Sequence, residues 1–166
     1  MSNIFFTSDM HFGERTKMAE ERHVTFENYE HFLRSYVNSY NAVVDSYDTV
    51  YFLGDVFTAE MNYEKLMNLL NGRKILIAGN NDRLNHVPRG IEVRGCVYLP
   101  EHYAVLSHFP VHPDMFETKD WLKRNIHGHT HGHWNCSDER YYDVSCDATH
   151  YRPVSIAEIN RLMDFY

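Results

Sequence analysis

Five short polar motifs follow apolar, strand-like runs, and their order constrains the fold of this chain more than any other feature. Each motif places a carboxylate, an amide oxygen or an imidazole just after a run such as Ile4–Thr7. Short apolar runs are typical of buried parallel strands, and open α/β sheets bind ligands at the carboxyl ends of such strands. The sequence therefore predicts an α/β fold in which the motifs meet. They are Asp9-Met10-His11, Gly54-Asp55, Gly79-Asn80-Asn81-Asp82, Ser107-His108 and Gly128-His129-Thr130-His131.

The side chains in these motifs are suited to binding metal ions. Asp9 and His11 are two residues apart, so on an extended segment they point to the same side, and His129 and His131 repeat this spacing. The two oxygens of Asp55 can bridge two ions. Carboxylate, imidazole and amide oxygen together suit Mn, Fe, Zn or Ni, and the motifs lack the thiolates of most structural zinc sites. The pattern predicts one dinuclear metal site.

In this order the motifs resemble those of the calcineurin-like metallophosphoesterases. That family carries Asp-x-His, Gly-Asp, Gly-Asn-His-Asp/Glu, a lone His and Gly-His-x-His. The resemblance runs from Ile4 to about Ile159 and is closest to small bacterial and phage predicted phosphoesterases, which share the segments found here at 107–110 and 151–155. It implies a single domain over residues 1–166, folded as a four-layer α-β-β-α sandwich with two facing mixed sheets.

The resemblance also implies a ligand set for two divalent ions, with Mn as the first choice and Fe, Zn or Ni as the others. One ion would be held by Asp9, His11, Asp55 and His131, and the other by Asp55, Asn80, His108 and His129. Water or hydroxide between the ions would be the nucleophile, since metal binding lowers its pKa towards about 7. The implied activity is metal-dependent hydrolysis of a phosphoester.

Asn81 stands where most members of the family have a histidine that faces the scissile bond. Asn cannot donate a proton as a general acid, and such help is worth roughly 10²–10⁴-fold. We therefore expect a preference for phosphodiester or pyrophosphate bonds over monoesters. Asn81 is one of three candidate catalytic residues. The others are Asp82, expected to orient a neighbour or a ligand, and His133, expected to approach the substrate.

Two other functions remain open. The chain can be a phosphomonoesterase in which His86, His112 or His133 replaces the missing acid, or a catalytically silent binding module on the same fold. Every metal-ligand position of the family pattern carries a suitable residue in this sequence, which argues against a catalytically silent protein. A metallo-β-lactamase-type hydrolase is a weaker alternative, because its tight early His-x-His-x-Asp-His cluster is not in this sequence.

Composition limits the partners and the compartment. The 166 residues are 43% hydrophobic, enough for one globular core. A net charge of −7 argues against strong nucleic-acid binding, so we expect a small phosphorylated substrate, nucleotide-like ones included. The sequence has no signal-peptide pattern and no apolar stretch of about 20 residues, which predicts no membrane partner. Cys96, Cys136 and Cys146 show no paired spacing, which favours the reducing cytoplasm.

Hydrophobic spacing predicts the remaining elements. A first helix is expected from Phe26, with Thr25 as its N-cap, and a second over residues 63–70. Residues 92–99 and 103–107 are expected to pair as a hairpin. Short strands are expected at 125–127 and 141–145, and the capping box formed by Ser155 and Glu158 predicts a closing helix.

Overall fold

The computed structural model describes residues 2–14, 29–134 and 137–163. Within these ranges the chain forms nine β-strands and three α-helices, arranged as an α/β fold with two sheets. The predicted helix start at Phe26 and its N-cap at Thr25 lie outside the described residues, and so does Cys136. In the described ranges, no helix is both long enough and apolar enough to cross a membrane.

The first sheet is mostly parallel. Its five strands are β1 (Ile4–Thr7), β2 (Thr49–Phe52), β3 (Arg73–Ile77), β4 (Glu92–Arg94) and β9 (Val154–Ser155). They lie in the order β4-β3-β2-β1-β9, and only β9 runs antiparallel to its neighbour. Because β1, β2 and β3 are parallel neighbours, the segments that follow them emerge at the same edge of the sheet.

The second sheet is also mixed. Its four strands are β5 (Val97–Leu99), β6 (Ala104–Leu106), β7 (Arg124–His127) and β8 (Tyr141–Asp143). β5 is antiparallel to β6, whereas β6, β7 and β8 are parallel. The predicted short strands at 125–127 and 141–145 are thus confirmed with slightly different ends.

The predicted strand over residues 92–99 is wrong, because the chain changes sheets in the middle of it. β4 adds to the first sheet beside β3, and only β5 pairs with β6 in the expected hairpin. The change occurs at Gly95, which has open space around it. Charged Glu92 suits the solvent-facing edge, where it pairs with Arg73 at 2.9 Å, whereas Leu99 is buried in the core.

Side-chain alternation along the strands divides the apolar residues between separate cores. Phe5 lies in a cluster with residues of the helices α1 (Tyr29–Asn41) and α2 (Tyr63–Leu69), which cover the outer face of the first sheet. Phe6, the next residue, lies in a different cluster together with Leu106 of β6. Neighbouring residues on a strand point to opposite faces, so the second cluster is the core between the two sheets.

The outer face of the second sheet is covered differently. Val105, Phe116 and Leu122 form a small cluster there, and Phe116 belongs to a 3₁₀ helix, Pro113–Glu117. Among the described residues, that short helix and its flanking loops cover this face, with no α-helix on it. In the described part of the chain, helices α1 and α2 thus pack on the first sheet, and the 3₁₀ helix packs on the second.

The closing helix α3 (Ile156–Leu162) begins after Ser155, the N-cap of the predicted capping box, whereas the Glu158 carboxylate pairs with Arg152 instead of completing the box. The Ser155 hydroxyl accepts a hydrogen bond from the Glu158 backbone N–H at 3.1 Å, satisfying a donor that the helix leaves unpaired. Fully buried Ile159 then extends into the core between the sheets. The cap thus fixes the direction in which α3 leaves β9.

We expect Ser155→Ala to lower the free energy of unfolding by about 1 kcal/mol, because it removes this cap without changing the backbone pairing of β9. Chemical denaturation would measure the loss. Ser155→Asp keeps an acceptor oxygen and should retain most of the stability; an equal loss in both variants would contradict a capping role.

Candidate metal centre

The predicted ligands lie where parallel strands of both sheets end. The segment after β1 carries Asp9 and His11, and the segment after β2 carries Asp55. On the second sheet, the segment after β7 carries His129 and His131. Asn80 and His108 follow β3 and β6 in the same way. This is the edge at which α/β sheets bind ligands.

Most of these residues have a left-handed backbone that side chains other than glycine seldom adopt. The residues concerned, with φ in parentheses, are Asp9 (59°), His11 (49°), Asp55 (56°), His129 (70°) and His131 (50°). Such conformations cost of order 1–3 kcal/mol each and cluster at functional sites. Here they turn the chain sharply after each strand and aim the side chains at a common space.

Asp9, His11 and His131 form the first group, which is called the inner group below. One ligand atom from each lies within 4.8 Å of those of the other two. The His131 Nε2 is 3.6 Å from Asp9 Oδ1, and the rings of His11 and His131 stack with centroids 5.3 Å apart. Asp9 and His11 are fully buried. A carboxylate and two imidazoles this close offer three ligands to one cation.

Asp55, His108 and His129 form the second, outer group, with their ligand atoms again within 4.8 Å of one another. The His108 Nε2 is 3.5 Å from Asp55 Oδ1 and 2.9 Å from the amide oxygen of Asn80. Asp55 and His108 are buried, but His129 is exposed. The outer group therefore opens to solvent, and Asn80 can supply it with a fourth, neutral ligand.

The Asp55 carboxylate belongs to the outer group and also faces the inner group. Its Oδ1 faces His108 of the outer group, and its Oδ2 is 3.6 Å from His11 Nε2 of the inner group. Each oxygen is thus directed at a different set of imidazoles. This is the geometry that a bridging carboxylate needs, and the seven predicted ligands all border one space.

Three of the imidazoles are oriented through their other nitrogen. The His108 Nδ1 is 2.8 Å from the Leu53 carbonyl oxygen, the His131 Nδ1 is 2.6 Å from Asp147 Oδ2, and the His11 Nδ1 is 3.3 Å from Glu14 Oε1. A histidine with its N–H at Nδ1 presents the lone pair of Nε2 to the site, as in most metal-binding histidines. Sequence reasoning missed Asp147 and Glu14, which carry no motif of their own.

Asp82 fixes the turn that presents Asp55. Its two oxygens accept hydrogen bonds from the backbone N–H groups of Asp55, Val56, Phe57 and Gly79, at 2.8 to 2.9 Å. A carboxylate accepting several backbone N–H bonds is held firmly and holds the backbone in return. Asp82 therefore joins the segments after β2 and β3.

Asp143 does the same for the last histidine motif. Its Oδ2 accepts hydrogen bonds from the Thr130 hydroxyl at 2.5 Å and the Gly132 N–H at 2.8 Å, and its Oδ1 accepts one from the Ser145 N–H at 2.8 Å. The bonds brace the loop that carries His129 and His131. Sequence reasoning missed Asp143 too, since a single Asp at a strand end is common.

Two glycines allow the motifs to pack this closely. A Cβ at Gly54 (φ +92°) would collide with the His108 ring and lie 2.8 Å from the Gly79 Cα. A Cβ at Gly79 would lie 2.5 Å from the Asp55 nitrogen and collide with its carboxylate. Any larger residue would push the two segments apart.

The pKa values of two site residues are shifted by their surroundings in a way that a bound cation would reverse. Burial raises the pKa of the Asp9 carboxyl to about 6, although the neighbouring hydroxyl of Ser8 and His131 partly offset that effect. Although His129 is exposed, partial desolvation of its ring lowers its pKa, and the nearby His108 lowers it further. Both shifts favour the neutral forms, and a cation held between these groups would favour carboxylate and neutral imidazole instead. The donor set therefore fits a divalent ion.

The other predicted site residues lie at different distances from this space. The Asn81 side-chain amide donates a hydrogen bond to Asp55 Oδ2 at 2.6 Å, and its backbone N–H donates to Oδ1 at 2.9 Å. His133 is exposed and belongs to neither group. Of the proposed substitute acids, His86 contacts the Ala59 carbonyl at 3.2 Å, and His112 caps the 3₁₀ helix at Asp114.

Comparison with known proteins places the chain among relatives of similar length. No family model matches it. The uncharacterized protein MJ1445 of Methanocaldococcus jannaschii is 30% identical over 175 residues, covering 99% of this chain and 93% of that protein. The gene 66 protein of Mycobacterium phage D29 is 30% identical over 184 residues, covering 90% of each. The chain belongs to the family of these proteins.

A solved structure shares the fold. The protein of unknown function AQ665 from Aquifex aeolicus matches with a TM-score of 0.77, covering 98% of this chain and 100% of that one, at 23% identity. At this level of identity the likeness concerns the architecture alone. The α/β arrangement of two mixed sheets is therefore found in another protein along its whole length.

We expect Asp82→Ala to lower the free energy of unfolding by about 3 kcal/mol, because it leaves several part-buried backbone N–H groups without an acceptor. Asp82→Asn keeps one acceptor oxygen and should lose less. Urea denaturation would measure both, with the exposed Asp114→Ala as a control expected to stay within about 0.5 kcal/mol of the parent. Equal stability of Asp82→Ala and the parent would contradict the bracing role.

Proposed function

We propose that this chain is a dinuclear metal-dependent phosphoester hydrolase of the calcineurin-like metallophosphoesterase type, favouring phosphodiester or pyrophosphate bonds. One observation carries the proposal: the Asp55 carboxylate directs one oxygen at each of two groups that contain carboxylate and imidazole ligands. Two divalent ions a few Å apart suit hydrolysis at phosphorus above other reactions.

The proposed fold is the four-layer sandwich of that family with a reduced fourth layer. Helices α1 and α2 would form one layer and the two mixed sheets would form two more, with the apolar core between the sheets. The 3₁₀ helix Pro113–Glu117 would stand where a full sandwich has an outer helix. The reduced layer lies on the outer face of the second sheet.

Each residue of the centre has a proposed role. Asp9, His11 and His131 would hold one ion, Asn80, His108 and His129 the other, and Asp55 both. Mn is the first candidate, with Fe, Zn or Ni as the others. Bound there, the ions would lower the pKa of a water molecule and neutralise charge that develops on the phosphoryl oxygens.

The preference for diesters rests on Asn81. Its amide hydrogen is donated to Asp55, and an amide has no proton to give to a leaving group. A diester or pyrophosphate with a good leaving group needs less protonation than an alkyl monoester, so the loss of a general acid matters least there. In our proposal Asn81 therefore positions Asp55 and offers hydrogen bonds to the substrate.

A phosphomonoesterase is the second candidate, and one feature favours it. His133 follows His131 by two residues and is exposed, so its imidazole is open to a substrate approaching the outer group. A small phosphorylated molecule is the proposed substrate in either case. We also propose a cytoplasmic location, in keeping with the spacing of Cys96, Cys136 and Cys146 along the sequence, which shows no pairing pattern.

We expect metal-stripped protein resupplied with Mn²⁺ to bind two ions per chain, measured by equilibrium dialysis and elemental analysis. Asp55→Asn keeps the shape of the side chain but removes its charge, and it should bind fewer than two ions or bind them at least about tenfold more weakly. Asp114→Ala, an exposed carboxylate away from both groups, is the matched control. Unchanged stoichiometry and affinity in Asp55→Asn would contradict the bridging role.

We expect the Mn²⁺-loaded protein to hydrolyse bis-p-nitrophenyl phosphate faster than p-nitrophenyl phosphate, with both rates lost in Asp55→Asn. Asn81→His should restore a general acid and raise the hydrolysis of phenyl phosphate, a monoester whose poorer leaving group needs a proton, by up to roughly 10²-fold. Release of p-nitrophenol or phenol measures these rates. Faster monoester hydrolysis by the parent protein would favour the second candidate, with His133→Ala then expected to lower it. No turnover of either ester would contradict the hydrolase proposal for such substrates.

A further inference from the structure

Phe109 is a large apolar side chain that stands half exposed beside the outer group. Its ring centroid lies 4.4 Å from that of His129 and 4.9 Å from that of His108, and 49% of the residue is accessible to solvent. Single exposed apolar residues are common on protein surfaces. This one differs because it borders two of the imidazoles that we assign to the metal centre.

The buried side-chain amide of Asn125 holds the backbone segment that carries Phe109. Asn125 is fully buried, and its Nδ2 donates to the Ser107 hydroxyl at 2.9 Å while its Oδ1 accepts from the Val111 N–H at 2.9 Å. The Ser107 hydroxyl in turn donates to the Phe109 carbonyl oxygen at 2.6 Å. The ring is therefore presented on a braced segment, and a surface fixed before binding loses little entropy when a ligand docks.

Access to the centre is from the same side. Asp9 and His11 of the inner group are buried, whereas His129, Asn80 and Asn81 are exposed. His131 of the inner group is only partly exposed, so among the described residues the more open approach to Asp55 is past the outer group. The substituent on a phosphate that takes this approach would then lie next to the exposed part of the Phe109 ring.

We infer that Phe109 is a stacking platform for a flat aromatic ring carried by the phosphorylated substrate, a nucleobase being the biological form of such a group. The inference rests on the proposed function and specifies the class of substrate. Stacking on an aromatic side chain strengthens binding without selecting one base over another. The residue thus favours nucleotide-type phosphates over sugar or alkyl phosphates.

The test compares two ligands that differ only in the base. Adenosine 5′-monophosphate and ribose 5-phosphate carry the same phosphate and sugar, and calorimetry on the Mn²⁺-loaded protein measures their affinities, with an assay for released phosphate to confirm that neither is hydrolysed during the titration. We expect the nucleotide to bind about tenfold more tightly. Phe109→Leu keeps an apolar side chain but removes the ring and should abolish the difference, whereas Phe109→Tyr should keep it.

Tyr47→Ala is the matched control, because Tyr47 is an aromatic residue 87% exposed just before β2, at the edge of the sheet opposite the site. It should leave both affinities unchanged. Metal content and thermal unfolding of Phe109→Leu should equal those of the parent, which separates a lost platform from a damaged centre.

The possible outcomes separate the stacking role of Phe109 from the proposed hydrolase activity. Equal affinity of the parent protein for the two ligands, or a difference that survives in Phe109→Leu, would overturn the role of Phe109 and leave the hydrolase proposal standing. Failure of both phosphates to bind, together with no diester turnover, would overturn the hydrolase proposal and the platform with it.

Discussion

The candidate centre depends above all on the bond network of the Asp82 carboxylate. Four backbone N–H groups, from the turn after β2 and from Gly79 after β3, converge on its two oxygens. That network holds Asp55 in a left-handed conformation which its side chain would otherwise avoid. Because Asp55 faces both ligand groups, the spacing between the groups is fixed indirectly by a residue that belongs to neither.

Much of the fold follows from the sequence because strands and motifs coincide. The runs that became β1, β2 and β3 are short and apolar, and each ends on a polar motif, so their parallel arrangement and common edge could be predicted. The helix after Ser155 carried its own capping signal. Residues 92–99 could not be assigned correctly, because local periodicity does not show which sheet a strand joins. That choice depends on which edge offers partners, as Arg73 does for Glu92.

The centre was predictable in part for a similar reason. Ligand motifs have fixed spacings, so the convergence of Asp9, Asp55 and His131 could be predicted from the chain alone. The residues that orient them could not. Asp147 meets His131, and Asp143 braces the loop before it, through contacts that depend on how the segment after β8 folds back. Isolated acidic residues carry no periodic or spacing signal that would indicate such a contact.

Each ligand group takes its side chains from both sheets. Asp9 and His11 follow a strand of the first sheet and His131 follows one of the second; Asp55 belongs to the first, and His108 and His129 belong to the second. The sheets are joined by apolar packing and, at this edge, by hydrogen bonds such as those of the Ser8 backbone to Val144 and Cys146, at 3.1 and 3.0 Å. Such directional bonds limit the sliding of one sheet past the other. A cation bound here would add its own bonds to residues of both sheets, so the relative position of the sheets would depend in part on whether the centre is occupied.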